Sequence, residues 1–166
     1  MTLVVYVGGA RSGKSRLALE RARSGGAAVV FVATGEALDD EMTDRISRHK
    51  AERPTEWKTV EEPVELEHAI ADAPPEATLV VDCLSLWVAN VFESVPSEEI
   101  AERAATSAAA RPGLTIAVTN EVGLGIVPDN ELARRYRDVL GRVNATWAAA
   151  ADEAYFVVAG RALRLE

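Results

Sequence analysis

Eight consecutive residues, Gly8-Gly9-Ala10-Arg11-Ser12-Gly13-Lys14-Ser15, fit the pattern G-x-x-x-x-G-K-[ST] at every fixed position. Glycines spaced in this way let backbone N–H groups converge on phosphate oxygens. A helix starting at the lysine adds the positive end of its dipole. In such a cradle Lys14 reaches the β- and γ-phosphates, and the Ser15 hydroxyl is placed to ligate Mg²⁺. The metal calls for a carboxylate as well. Leu79-Val80-Val81-Asp82 supplies one, an apolar run closing on Asp82 in the manner of a Walker B strand. Cys83, the next residue, reads as a small core side chain rather than a nucleophile.

A catalytic histidine has two candidates, His49 and His68. In Asp40–Arg53, Met42, Ile46 and His49 fall at i, i+4 and i+7, so the imidazole ends the inward stripe of a helix. Arg45, Arg48, Lys50 and Arg53 surround it with positive charge. An imidazole among cations suits attack on an anionic phosphorus, because the cations favour the charge that develops. The same spacing also describes a partly buried histidine at a helix end with no chemistry, and spacing alone leaves both readings open. His68, in Glu65-Leu66-Glu67-His68, reads as a solvated helix residue.

These residues need a scaffold, and the chain supplies an alternation. Leu3–Val7, Val29–Ala33, Leu79–Asp82, Leu114–Thr119 and Tyr155–Ala159 are short apolar runs, as in strands buried on both faces of a parallel sheet. Between them the patterning predicts helices over Ser15–Ser24, Asp40–Arg53, Pro63–Ala73, Leu86–Glu93, Ser97–Ala110 and Glu131–Ala151. Strand–helix alternation implies one α/β domain over residues 1–166, with a mostly parallel sheet flanked by helices.

The 166 residues carry 18 Lys+Arg against 26 Asp+Glu, a formal charge of −8. That balance disfavours a sequence-independent grip on nucleic acid. One cysteine excludes an internal disulfide or a thiolate metal cluster. No apolar run has the length of a membrane span, and no basic leader precedes the first strand. The expectation is a cytoplasmic enzyme.

Three segments together resemble one family, the bifunctional adenosylcobinamide kinase/adenosylcobinamide-phosphate guanylyltransferases of cobalamin biosynthesis. They are Gly8–Ser15; Ala33-Thr34 with Asp39-Asp40-Glu41-Met42 through His49-Lys50 and Arg53-Pro54; and Thr119-Asn120-Glu121-Val122-Gly123-Leu124-Gly125-Ile126-Val127-Pro128. The similarity runs on through Leu132-Ala133-Arg134 and Gly141-Arg142-Val143-Asn144. The resemblance implies phosphorylation of adenosylcobinamide by ATP or GTP, then transfer of GMP from GTP through a guanylylated histidine, here His49. It implies nucleotide contacts at Gly8–Ser15, at Ala33, Thr34 and Gly35, at Lys50, Ala51, Glu52 and Arg53, and at Glu61 and Asp82. It also implies Mg²⁺ at Ser15 and Asp82 and a homotrimer. Two positions depart from the family pattern. Arg48 stands where some members carry a second histidine, and Asp82 where some carry glutamate. The loop Glu121–Gly125 follows a strand end and is expected to form a wall of the site.

Other classes remain distinguishable. A generic small-molecule kinase would use Gly8–Ser15 and Asp82 without needing His49. A GTP-driven switch would need a guanine-reading N-K-x-D element, and Thr119-Asn120-Glu121-Val122 lacks its Lys and Asp.

Overall fold

The apolar runs become strands because only a sheet covered on both sides can bury side chains of alternating direction. The computed structural model describes residues 2–37, 39–51, 53–93 and 96–166, apart from the side chains at 41 and 45. The order begins β1 (Thr2–Gly8), α1 (Lys14–Ser24), β2 (Val29–Ala33), α2 (Asp40–Ala51), β3 (Lys58–Glu61) and α3 (Leu66–Asp72). It continues with β4 (Thr78–Asp82), α4 (Leu84–Val91), α5 (Ser97–Ala110), β5 (Leu114–Asn120), α6 (Glu131–Ala150), β6 (Glu153–Val158) and β7 (Arg161–Leu165). The sheet runs β3-β2-β4-β5-β1-β6-β7, parallel throughout except for β7. Among the described residues no helix is long and apolar enough to cross a membrane.

Alternation along each strand divides the core in two. Leu3, Val5, Val30, Val32, Leu79 and Val81 face α3 to α6, where Trp87 and Trp147 are fully buried. Val4, Tyr6, Phe31 and Val80 face α1 through Ala18, Leu19 and Ala22. Register then sets the working edge. Gly8 pairs with Asn120, Ala33 with Asp82, and Asp82 with Val118, so four parallel strands end together.

Several boundaries depart from the sequence reading, for local reasons. Pro63 lies outside α3, because the Glu62 carboxylate accepts the N–H groups of Val64 (3.0 Å) and Glu65 (2.8 Å) and makes a turn first. Helix α4 starts at Leu84 rather than Leu86, since the Cys83 carbonyl already accepts the Trp87 N–H at 3.1 Å. Ala159 belongs to the β6–β7 turn at φ 50° and not to a strand. Strands β3 and β7 were not anticipated. Both are edge strands with largely exposed side chains, so neither shows an apolar run.

One buried cation organises the far side of the sheet. Arg111 donates from Nη1 to the carbonyls of Ile70 (3.1 Å) and Ala73 (3.0 Å). Its Nη2 serves Pro74 and Ala77, both at 2.9 Å. Truncation leaves several of these carbonyls without a donor. We expect Arg111→Ala to cost about 3 kcal/mol, since each orphaned group costs roughly 1–3. In a chain of this size that lowers Tm by about 6–12 °C. A fall of under about 2 °C in a thermal melt would show that water replaces the guanidinium at little cost.

Candidate active site

The working edge is built from strand ends and one glycine loop. β1 ends at Gly8, whose lack of a side chain is required: a Cβ there would lie 2.4 Å from the Val157 carbonyl oxygen. The chain then turns through Gly9–Ser12 and enters α1 at Gly13, which holds φ +100°. That left-handed cap suits glycine and aims the first turn of α1 at the space beyond the sheet. Lys14 is buried, and its ammonium donates to the Gly9 carbonyl at 2.9 Å. The loop is also held from outside. Gly160 donates its N–H to the Ser12 carbonyl (2.8 Å), and Arg16 Nη2 donates to the Gly160 carbonyl (3.2 Å).

Lys14 and Ser15 open on a cavity of about 520 Å³. Its other walls bring together Ala33 ending β2 with Gly35 beyond it, Asp82 ending β4 with Cys83 beyond it, Asn120 ending β5, and His49, Lys50 and Arg53 from the end of α2 and just beyond it. Met42 and Ile46 line the same cavity, so the i, i+4, i+7 stripe faces it as its spacing predicts. The position of α2 is set by Asp39, whose carboxylate accepts the Met42 N–H at 2.7 Å. A single space thus holds Lys14 and Ser15 of the glycine loop, an acidic strand end and an imidazole, while Gly8–Gly13 stand outside its wall.

The cations divide. Lys50 is ion-paired with Glu61 at the end of β3, and the bond and charge of that ammonium hold the Glu61 carboxyl below its ordinary range. The Arg53 guanidinium stacks over the Phe31 ring at 3.6 Å. Lys50, Arg53 and Glu61 also border a side chamber of about 400 Å³ reaching Trp57 and Thr59. Arg48, by contrast, is exposed, bonds the Asp44 carbonyl at 3.3 Å, and stays outside the cavity wall. The Arg45 side chain and Glu52 lie outside the described residues, and Ala51 is exposed on the outer side of the helix end. His68 is solvent-exposed beside Glu65, as expected.

Thr34 does not reach the cavity wall. It is fully buried, and its hydroxyl donates to the Cys83 carbonyl (2.7 Å) while accepting the Cys83 N–H (2.9 Å). It buckles the end of β2 to the residue after Asp82. Asn90 extends the buckle, donating to the carbonyls of Thr34 (2.9 Å) and Pro63 (3.0 Å). The Cys83 thiol is buried, and desolvation, with the Asp82 charge adding to it, pushes its pKa up to about 11. It is a packing group, not a nucleophile. Sequence reasoning missed Asn90, Pro63 and Leu86. Leu86 lines the cavity within a helix that is apolar at six of its eight positions, where no periodicity singles it out. β5 gives the cavity its last residue, Asn120, but the loop Glu121–Gly125, expected to form a wall of the site, contributes no residue to that wall.

Among solved structures, flagellar accessory protein FlaH from Methanocaldococcus jannaschii superposes with a TM-score of 0.56 at 14% identity, covering 99% of this chain and 78% of that one. The RadB recombinase gives 0.53 at 18% identity, covering 93% and 73%. Identities this low establish likeness of fold alone. The bifunctional adenosylcobalamin biosynthesis protein CobU of Salmonella typhimurium (strain LT2) is 39% identical over 181 residues, covering 99% of each chain. The corresponding CobP protein of Pseudomonas aeruginosa is 42% identical over 166 residues, covering 98% of this chain and 96% of that protein. A family model described as cobinamide kinase / cobinamide phosphate guanyltransferase matches residues 3–165. With Lys14 and Ser15 of the glycine loop, an acidic strand end and a helix-borne histidine in one cavity, and relatives matched over nearly their full length, the chain belongs to the cobinamide kinase / cobinamide phosphate guanyltransferase family.

Proposed function

We propose that this chain phosphorylates adenosylcobinamide with a nucleoside triphosphate and then converts the phosphate ester to its GDP conjugate through a guanylylated His49. The observation that carries the reading is the shared cavity: His49 lies in the same space as Lys14, Ser15 and Asp82. Transfer of the γ-phosphoryl group needs no protein nucleophile, whereas transfer of GMP through the protein does.

In the first reaction the substrate hydroxyl oxygen bonds to the γ-phosphorus, and the bridging bond to the β-phosphate breaks. Nothing covalent is required of the protein, which aligns the groups and neutralises charge. Lys14, on the cavity wall, and the amides at the start of α1 would supply that positive charge. In the second reaction a ring nitrogen of His49 bonds to the α-phosphorus of GTP and pyrophosphate leaves. The oxygen of the substrate phosphate then attacks that phosphorus, the P–N bond breaks, and the imidazole is restored. Lys50 and Arg53, on the same wall, favour the charge gathering on the α-phosphate.

The donor set suits Mg²⁺ held jointly with the nucleotide. Ser15 and Asp82 offer one hydroxyl and one carboxylate, and among the described residues no group of three or more His, Cys, Asp or Glu side chains forms a cage for a metal. Mg²⁺ is bound in that way, by one or two protein oxygens together with phosphates. Bound there, the ion would screen the negative charge of the phosphates.

The test is mass spectrometry of adenosylcobinamide incubated with the protein and GTP. We expect the phosphate ester first, then the GDP conjugate with release of pyrophosphate. Accumulation of the ester alone would establish a kinase without the histidine step.

A further inference from the structure

We infer that the loop between β5 and α6 is the seat of the acceptor: the side chains of Leu124, Ile126 and Val127 take the methylated face of the corrin ring while its hydroxyl-bearing tail passes Asn120 into the nucleotide cavity. This rests on the proposed function for the identity of the acceptor. The placement of the seat rests on the loop itself.

Four large apolar side chains stand in water within six residues: Val122 (40% exposed), Leu124 (80%), Ile126 (97%) and Val127 (58%). Leu132, at the start of α6, is also 44% exposed. Scattered exposed leucines are ordinary, but a concentration beside a functional cavity marks a binding surface. The patch is continuous with the site. It follows directly on Asn120, a cavity-wall residue, and the Glu121 N–H donates to the Gly8 carbonyl at 3.0 Å, where the phosphate loop begins.

The loop is framed at both ends. Asn144 of α6 accepts from the Thr119 hydroxyl (2.6 Å) and donates to the Asn120 carbonyl (2.9 Å). Arg134 donates to the carbonyls of Pro128 (2.8 Å) and Asp129 (2.6 Å), and the Asn130 side chain caps α6. Anchored ends leave the apolar middle of the loop exposed beyond Asn120. Size completes the reasoning. A cavity of about 520 Å³ suits one nucleotide, so a corrin macrocycle, larger than a nucleotide, has to sit outside with only its tail inserted. Of the flanking surfaces, the end of α2 carries Arg48, Lys50 and the Lys50–Glu61 pair, a charged rim that offers an apolar ring face nothing.

The test is Leu124→Ser/Ile126→Ser in the full chain. Adenosylcobinamide binding is read by equilibrium dialysis through the corrinoid's own absorbance, and label from α-³²P GTP is read in parallel. Because both side chains are exposed, Tm should stay within about 2 °C of the parent. Binding of the corrinoid should weaken about 10- to 100-fold, the loss expected for two large apolar contacts. Labelling by GTP, which involves no acceptor, should stay within about two-fold. Leu124→Met/Ile126→Val should restore binding to within about three-fold. Corrinoid affinity equal to the parent's would overturn the seat. So would a fall in molecular mass by light scattering with loss of both readouts, which would make the loop an interface between copies. If the parent binds the corrinoid but takes no label from GTP, the histidine mechanism fails while the seat is judged on dialysis alone.

Discussion

His49→Ala is expected to leave the chain folded and wholly unlabelled by α-³²P GTP. The parent should take up the α-label and no γ-label, because attack by an imidazole at the α-phosphorus retains GMP and releases the outer phosphates. The bond is a phosphoramidate, so the label should survive base and disappear in acid. The side chain is half-buried on the cavity side of α2, so its truncation removes little packing, and the melt should move only slightly. The more telling variant is His49→Asn, which keeps polarity and approximate size. Direct displacement at the γ-phosphorus needs no protein nucleophile, so ester formation should persist while the GDP conjugate disappears. A folded His49→Asn chain that lost both reactions equally would make His49 a positioning group for the nucleotide.

Lys14→Ala should depress both reactions together, by about 10²- to 10³-fold, the usual cost of removing one preorganised group that meets developing charge. The reasoning is geometric. Lys14 sits at the first position of α1 with its ammonium folded onto the Gly9 carbonyl, inside the loop that would cradle phosphates. The same cavity holds it together with His49, so both reactions would draw on one cradle. Steady-state rates for ester formation and for GMP transfer, measured on the same preparation, provide the check. Kinase activity within a few-fold of the parent would refute a cradle common to both steps.

What the sequence discloses about such a site depends on how local the determinants are. Gly8–Ser15, the Asp82 strand and the Met42–Ile46–His49 stripe are legible because each is a contiguous pattern whose spacing dictates direction. β3 and β7 escape notice because edge strands such as Lys58–Glu61 and Arg161–Leu165 are wetted, and burial is what writes an apolar run. Thr34 and Asn90 are hidden for another reason. Their partners are backbone groups 27 to 56 positions away, and no local period records a side chain that bonds a distant carbonyl. Arg48 marks the opposite failure. Charge nearby in sequence is not charge nearby in space, because one step along a helix turns a side chain by about 100°.

The bracing of the phosphate loop by Gly160 bears on the order in which this chain acquires competence during synthesis. The loop emerges from the ribosome well before the residues that frame it. β1 lies between β5 and β6, Leu3 accepts the Asp152 N–H and donates its own to the Asp152 carboxylate, and Ser12 waits for Gly160. Contacts spanning nearly 150 residues are slow to form and leave the early segment without its neighbours meanwhile. A polypeptide stalled before residue 160 would therefore carry the whole Gly8–Ser15 motif and lack the brace that Gly160 gives it.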